Sequence, residues 1–184
     1  MITIPNNSRR KFLQLGLTAL ACSIATPALA FAPRAQGAKS LSFYNLHTDE
    51  RLRVTYWKDG VYSRPAFSKI DQILRDYRSG EVRPMNVRLM DLLHDLQTRL
   101  KNDNTIEIIS GYRSPHTNAM LASMSEGVAK HSYHPKGMAI DIRLPGTSLA
   151  QLHRTALMMG RGGVGYYPSS DFVHVDVGPV RQWG

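Results

Sequence analysis

The chain has 184 residues, of which 42% are hydrophobic and 20% are charged, and its formal net charge is +9 at pH 7. This length suits one domain with a hydrophobic core, and this composition excludes a disordered or fibrous chain. The positive charge favours an anionic partner. Because the basic residues are scattered and match no nucleic-acid-binding motif, we expect that this partner is not a nucleic acid.

The first thirty residues have the segments of an export signal in the usual order. Basic residues at 9–11 precede an apolar stretch at 12–24, and a small-x-small cleavage pattern follows at 28–30. The sequence around Arg9 and Arg10 resembles a twin-arginine export motif, which predicts delivery of the folded protein to a bacterial periplasm. Because polar residues interrupt the apolar stretch, we expect no stable membrane span once the signal is cleaved. An uncleaved anchor helix is the alternative.

This reading divides the chain into three parts. We expect a signal peptide at 1–30, a linker at 31–40 and a single domain at 41–184. The only cysteine, Cys22, lies within the expected signal. The mature domain would therefore contain neither a disulfide nor a reactive thiol.

Periodic patterns of apolar residues predict the elements of this domain. Alternation and turn residues predict strands at 41–46, 51–57, 105–109, 138–144 and 172–177. Helical spacing predicts helices at 65–78, 84–100, 118–124 and 148–159, the last of them capped by Ser148. The glycine-rich segment at 162–165 predicts a flexible loop. A tight turn is favoured there over a phosphate-binding loop, because the segment neither opens a helix nor ends in Lys-Ser/Thr.

Polar residues on the two later strands form a candidate metal site. Alternation puts Asp141 on the face opposite the aliphatic residues of the strand 138–144, and it does the same for His174 and Asp176 in 172–177. His134 comes from the loop before the first of these strands. Each residue alone is most simply a polar surface group, but His134, Asp141 and His174 together can converge on one ion.

Two imidazoles and one carboxylate suit a single zinc ion, and three protein ligands leave a fourth position for water. Zinc lowers the pKa of that water to about 7 and polarises a carbonyl. A carboxylate must still move a proton to the leaving amine. Asp176 is favoured for this task because the strand fixes its direction about 7 Å from His174, although it could instead orient a histidine ligand. Asp171, three residues before His174, is the competitor.

The predicted fold class is α+β, with a small antiparallel sheet that carries the metal site and packs against helices from the N-terminal half. The pattern Ser-x-His-x-x-Gly-x-Ala-x-Asp at 132–141, with a later strand histidine, resembles the zinc peptidases of the D-alanyl-D-alanine peptidase and hedgehog-type family. The stretches at 110–114, 162–168 and 172–176 and the Arg-x-Trp ending resemble the murein endopeptidases of that family most closely.

This resemblance implies one zinc ion per chain on His134, Asp141 and His174. It implies that Arg113 holds a substrate carboxylate or polarises the carbonyl, for which a guanidinium is suited, and a structural ion pair is the alternative. Some members of the family use an acid at the position of Asp171.

The resemblance also implies that the partner is the cross-linked stem peptide of peptidoglycan. It indicates cleavage between two meso-diaminopimelate residues, with D-alanyl–meso-diaminopimelate cross-links as a second substrate. The expected function is thus a periplasmic, zinc-dependent murein endopeptidase in cell-wall remodelling. The alternative is a non-catalytic zinc module that binds wall peptides or a partner enzyme.

Overall fold

A mixed sheet of eight strands runs through the part of the chain that the computed structural model describes, residues 36–124 and 132–184. The strands are β1 (Ala38–Asn45), β2 (Arg51–Lys58), β3 (Val61–Tyr62), β4 (Ile106–Ser110), β5 (Ala139–Arg143), β6 (Gly163–Tyr167), β7 (Phe172–Asp176) and β8 (Arg181–Trp183). Their order in the sheet is β3-β2-β1-β4-β5-β7-β6-β8.

The predicted α+β class is confirmed, but the prediction of a small antiparallel sheet is wrong. Neighbouring strands are antiparallel except for two parallel pairs, β1 with β4 and β6 with β8. The parallel pairs arise because long connections return the chain to the same end of the sheet. Two helices lie between β1 and β4 in the chain, and β7 lies between β6 and β8. The sheet therefore joins both halves of the sequence.

Four α-helices are present in the described residues: α1 (Arg64–Ile73), α2 (Val87–Leu100), α3 (Pro115–Met124) and α4 (Leu149–Met159). The first, second and fourth begin at side-chain caps, because Ser63, Asn86 and Ser148 each accept a hydrogen bond from a backbone N–H in the first turn. None of the helices in the described residues is long and apolar enough to cross a membrane.

The first helix ends five residues before its predicted end. Residues 74–80 instead form a turn, in which the Asp76 carboxylate accepts a hydrogen bond from Arg78 N and the Gly80 N–H donates to the Asp76 carbonyl. The third helix begins three residues earlier than predicted, since the Ser114 hydroxyl accepts from the backbone N–H of Thr117. Both differences arise from side chains that bond locally to the backbone.

One hydrophobic core lies between the sheet and the helices. The aliphatic residues of β5 and β7 are at most 1% exposed, as the alternation predicts: Ile140, Ile142, Val173 and Val175. Helices α1 and α2 contribute to this core, and so does α4 from the C-terminal half. The polar residues of β5 and β7 are thereby held on the opposite face of the sheet.

Two segments predicted to lack regular structure are strands. β1 begins at Ala38 and so includes the last residues of the expected linker. β6 covers most of the glycine-rich segment predicted to be a flexible loop, so that prediction is wrong. The expected signal peptide at 1–30 and the linker up to residue 35 lie outside the described residues.

Candidate active site

The candidate site lies in one row of residues across the sheet. β5 and β7 pair Asp141 with His174, and β7 and β6 pair His174 with Gly165. Residues paired in this way present their side chains on the same face, about 5 Å apart. A short 3-10 turn, His134–Lys136, precedes β5 and adds a second histidine from the side.

The three residues predicted as metal ligands come together in this row. One ligand atom from each lies within 4.8 Å of the others. Asp141 Oδ1 is 2.8 Å from His174 Nδ1 and 3.2 Å from His134 Nε2, and the two nitrogens are 3.2 Å apart. All three side chains are buried. The arrangement places two nitrogens and one oxygen around a common point.

The outer nitrogen of each histidine has its own partner. His134 Nδ1 donates to the carbonyl of Gly111 at 2.7 Å, since a carbonyl oxygen can only accept. His174 Nε2 lies 3.1 Å from the Asp176 carboxylate, so it carries the proton of that ring. When both rings are neutral, as a metal ligand requires, these outer partners leave the inner nitrogens with lone pairs. Those lone pairs face Asp141, which is also an acceptor.

The charges of the site favour a cation at the common point. Burial lowers the pKa of His134, which keeps its ring neutral. Burial would raise the pKa of Asp141, but the two neighbouring histidines hold it well below its ordinary value, so the carboxylate stays ionised. Burial would lower the pKa of His174, but its contacts with the Asp141 and Asp176 carboxylates raise it, so these carboxylates favour a positive charge at the site. A metal ion takes the place of the proton on His174 Nδ1, and all three atoms then act as acceptors. A bound divalent cation satisfies all three, and the N, N, O donor set fits zinc.

The Gly111 carbonyl is held in place by close packing of two loops. The backbone N–H of Tyr112 donates to the Leu74 carbonyl at 2.7 Å. A Cβ atom added to Gly111 would lie 2.5 Å from that same carbonyl oxygen. Only glycine permits this close approach. Residue 111 therefore affects the orientation of His134, because the Gly111 carbonyl accepts the hydrogen bond of His134 Nδ1.

Arg113 lies in the loop after β4 and points its guanidinium towards the site. Its Nη2 lies 3.4 Å from the Ser132 hydroxyl, and its buried Nε has no hydrogen-bond partner among the described residues. Burial lowers the pKa of Arg113, while the charge of nearby Asp141 opposes that effect. The buried carboxylate of Asp76 holds this loop, because it accepts the backbone N–H of Ser114 at 2.9 Å.

Asp176 lies on the same face as His174 and is fully buried. Its Oδ1 accepts the backbone N–H groups of Gly163 and Gly178 at 3.0 and 2.8 Å. Its Oδ2 binds His174 and accepts from Arg181 Nη2 at 2.6 Å. Burial would raise the pKa of Asp176, but these hydrogen bonds hold it below its ordinary value. Its lone pairs are occupied by protein groups.

Asp171 has a different environment from Asp176. It follows a short 3-10 turn in the left-handed conformation, with φ of 54°, and its side chain is 63% exposed. Its carboxylate lies 3.2 Å from Arg143 Nη1. Arg143 is two residues after Asp141 on β5, so alternation places both on one face of the sheet, about 7 Å apart along the strand. Asp171 thus lies at the solvent side of the candidate site.

The sequence analysis found Asp176 as a possible partner of a ligand histidine, but it did not find the other residues that support the candidate ligands. Arg181 contacts Asp176, and the ring of Trp183 lies 5.1 Å from that of His174. The indole Nε1 of Trp183 donates to the Tyr167 hydroxyl at 2.8 Å. The Gly111 carbonyl has no side-chain signature at all. The alternation Arg-x-Trp at the end of the chain was the available signal for the other two.

Residues 33–183 match the family described as peptidoglycan L,D-endopeptidase MepK, one of the M15 peptidases. The chain belongs to this MepK family. The peptidoglycan L,D-endopeptidase MepK of Escherichia coli K12 is 42% identical over 179 residues, which cover 96% of this chain and 97% of the relative. The Shigella flexneri protein of the same name matches equally well. A probable peptidoglycan L,D-endopeptidase MepK of Haemophilus influenzae is 41% identical over 97% of this chain and 96% of its own length.

Membership of the MepK family confirms the resemblance and the enzyme class expected from the sequence. Peptidases of this family are metallopeptidases, so the chain is a metal-dependent peptidoglycan endopeptidase. The match favours the enzyme over the non-catalytic binding module. The cluster of His134, Asp141 and His174 is the group of residues in the described part of the chain that could hold the metal.

Proposed function

We propose that the chain is a zinc-dependent endopeptidase that hydrolyses cross-links between two meso-diaminopimelate residues of peptidoglycan during cell-wall remodelling. The observation that carries the zinc site is the convergence of three buried ligand-type atoms, His134 Nε2, Asp141 Oδ1 and His174 Nδ1, within 4.8 Å of one another. The names of the relatives support the choice of the L,D cross-link.

The three ligand side chains would hold one zinc ion and leave a position open for water or substrate. When bound, zinc supplies Lewis-acid polarisation of the scissile carbonyl and lowers the pKa of a water molecule. The protein fixes the orientation of both imidazoles through the Gly111 carbonyl and the Asp176 carboxylate. Such partners keep the ligand nitrogens directed at the ion and raise their basicity.

Arg113 would bind a free carboxylate of the substrate beside the scissile bond. Its Nε is buried without a hydrogen-bond partner among the described residues, and a buried unpaired donor is costly unless a ligand satisfies it. Diaminopimelate has two carboxyl groups, so a residue that uses one in an amide bond retains the other. A planar guanidinium binds such a group with two parallel hydrogen bonds.

We assign the two candidate acids to different tasks. Both oxygens of Asp176 are already engaged, and its role is to orient His174. Asp171 is exposed, and among the described residues its one ion pair is with the partly exposed Arg143. Its carboxylate can therefore leave Arg143 and accept a proton from the attacking water. Asp171 is therefore the carboxylate proposed to carry the proton to the leaving amine.

The test is digestion of purified sacculi that contain both L,D and D-alanyl cross-links, followed by mass spectrometry of the released muropeptides. We expect loss of the diaminopimelate–diaminopimelate dimers, abolished by chelator and by His134→Ala, with slower loss of the D-alanyl dimers. Asp103→Asn, which changes an exposed residue on the α2–β4 connection, serves as the matched control. Hydrolysis that survives His134→Ala, or faster loss of the D-alanyl dimers, contradicts the proposal.

We also propose that the protein acts in the periplasm after export by the twin-arginine route. The support is the sequence pattern at 1–30, in which paired arginines precede an apolar stretch and a small-residue cleavage site. Replacement of Arg9 and Arg10 by lysine should retain the protein in the cytoplasm upon cell fractionation. Mass spectrometry of the exported protein should give a chain that starts near Phe31, and an intact N-terminus would instead indicate an anchor.

A further inference from the structure

Side chains of the last strand, β8, extend over two glycines of β6 towards the candidate metal site. Gly163 and Gly165 are two residues apart on β6, so they lie on one face of the sheet. They pair in register with Arg181 and Trp183 of β8. A Cβ atom at Gly165 would lie 2.6 Å from the Trp183 ring, and one at Gly163 would lie 2.5 Å from both Arg181 Nη1 and an oxygen of Asp176. The side chains of β8 therefore occupy the space that the two glycines leave open.

Each side chain that extends over these glycines ends on a different part of the site. Arg181 donates Nη1 to Asp176 Oδ1 at 3.2 Å and Nη2 to Oδ2 at 2.6 Å, a bidentate pair. The ring of Trp183 lies 5.1 Å from the His174 ring. The Arg181 guanidinium also lies 4.9 Å from the ring of Tyr133, the residue before the ligand His134. Strand β8 thus contacts the surroundings of both histidine ligands.

We propose that Arg181 and Trp183 are positioning residues that set the affinity of the site for its metal. We refer to Gly163, Gly165, Arg181 and Trp183 together as the β8 clamp. The inference rests on the proposed function, because it places the metal on His134, Asp141 and His174. Arg181 neutralises the buried Asp176 carboxylate and fixes its plane, and Asp176 in turn holds His174 with Nδ1 directed at the ion.

The physical argument concerns a buried charge. Asp176 is fully buried, and without Arg181 its carboxylate would lose its cationic partner. Removal of one member of a buried ion pair leaves an uncompensated charge, so the carboxylate shifts towards water or other donors. His174 then loses its fixed orientation. Substitution of the partners that orient a ligand weakens metal binding by about 10-fold to 100-fold.

The test measures zinc affinity rather than activity. The full-length protein is stripped with chelator and titrated with zinc against a chromophoric competitor. We expect Arg181→Gln to weaken zinc binding about 10-fold to 100-fold, and Arg181→Lys to restore part of the loss, because one ammonium can contact only one oxygen well. Arg161→Gln is the matched control: this arginine also pairs with an aspartate, Asp95, and its side-chain exposure of 36% matches the 37% of Arg181.

A second variant tests the clamp without removal of a charge. Gly165→Ala adds one methyl group under the Trp183 ring, and the backbone of Gly165 has no positive φ that would exclude alanine. We expect zinc binding to weaken at least several-fold. Trp57 and Trp183 are the two tryptophans of the chain, so Trp57→Phe leaves Trp183 as the sole indole. Its fluorescence should change at the same zinc concentration that saturates the competitor assay.

The possible outcomes separate this inference from the proposed function. If wild type binds zinc but Arg181→Gln binds it equally well and only unfolds at a lower temperature, the clamp has a structural role alone and the inference is wrong. If wild type and the Arg161 variant bind no zinc at all, the proposed zinc site fails and the inference fails with it. Weaker zinc binding in both Arg181→Gln and Gly165→Ala, with Arg161→Gln unchanged, supports the clamp.

Discussion

Asp76 offers a test of how the loop that carries Arg113 is held. Asp76 is 1% exposed, and its carboxylate accepts from backbone N–H and hydroxyl groups of the described residues. One oxygen accepts the backbone N–H of Arg78 at 3.0 Å, and the other accepts that of Ser114 at 2.9 Å. The carboxylate therefore links the turn after α1 to the loop that carries Arg113. Asp76→Asn keeps the shape of the side chain but replaces one acceptor oxygen with a donor.

The magnitude follows from the bonds that are lost. In the asparagine variant, one backbone N–H would face an NH₂ group and remain buried without a partner, which costs about 1–3 kcal/mol. The remaining bond changes from a charged to a neutral acceptor and weakens by about 1 kcal/mol. We expect a total loss of about 3 kcal/mol in the free energy of unfolding at pH 7. For a domain of this size that lowers Tm by roughly 6–12 °C.

The effect should depend on pH in a defined direction. Burial would raise the pKa of Asp76, but hydrogen bonds from Thr117, Ser114 and Arg78 lower it well below its ordinary value. A carboxylate with a lowered folded-state pKa stabilises the protein above its unfolded pKa of about 4, and this contribution is lost as pH falls towards the folded pKa. The difference in the free energy of unfolding between wild type and Asp76→Asn should be largest at pH 7 and should decrease below about pH 4.

The measurement is urea unfolding followed by circular dichroism at several pH values from 7 to 3. Asp103→Asn removes the same charge from an exposed position and should change stability by less than about 0.5 kcal/mol throughout. Two results would refute the idea that an ionised carboxylate holds the two loops together. In the first, Asp76→Asn lowers the free energy of unfolding by no more than Asp103→Asn does. In the second, the loss for Asp76→Asn stays constant down to pH 3.

Three further predictions concern the site itself. Gly111→Ala should destabilise the fold by about 1–3 kcal/mol, because its Cβ meets the Leu74 carbonyl, and zinc titration should show weaker binding as the carbonyl moves off His134. Arg113→Lys should raise KM for a cross-linked dimer about 10-fold with a smaller change in kcat, measured by chromatography of the products, because a bidentate contact is lost. Chelation should lower Tm, and added zinc should restore it in calorimetry, since a metal bound only to the folded state stabilises it.

The parts of this structure that sequence could predict are those governed by local periodicity. Ile140 and Ile142 on β5, and Val173 and Val175 on β7, alternate with polar residues, and this period of two determines which side chains face the core. The same alternation places Asp141 and His174 on the opposite face. The proximity of the candidate ligands was predictable because the two that lie on strands, Asp141 and His174, are oriented by their immediate neighbours in the chain.

The parts that could not be predicted depend on contacts between distant segments. The pairings of β1 with β4 and of β6 with β8 join strands that are far apart in sequence, and nothing in either strand alone specifies its partner. β6 was mistaken for a loop because glycine disfavours strands. It forms a strand here because Arg181 and Trp183 cover the face that its glycines leave bare.

The site can be understood as two neighbouring rows on one face of the sheet. The ligand row runs from Asp141 through His174 and Gly165 to Trp183, and the supporting row contains Asp176, Gly163 and Arg181. The motifs His-x-Asp, Gly-x-Gly and Arg-x-Trp are thus one pattern of period two, repeated on three adjacent strands. Each row has a glycine in the middle strand. A side chain at Gly163 would push Arg181 away from Asp176, and one at Gly165 would push Trp183 away from His174. This requirement explains why the glycine-rich segment and the last strand lie beside the candidate active site, although neither contributes a candidate metal ligand.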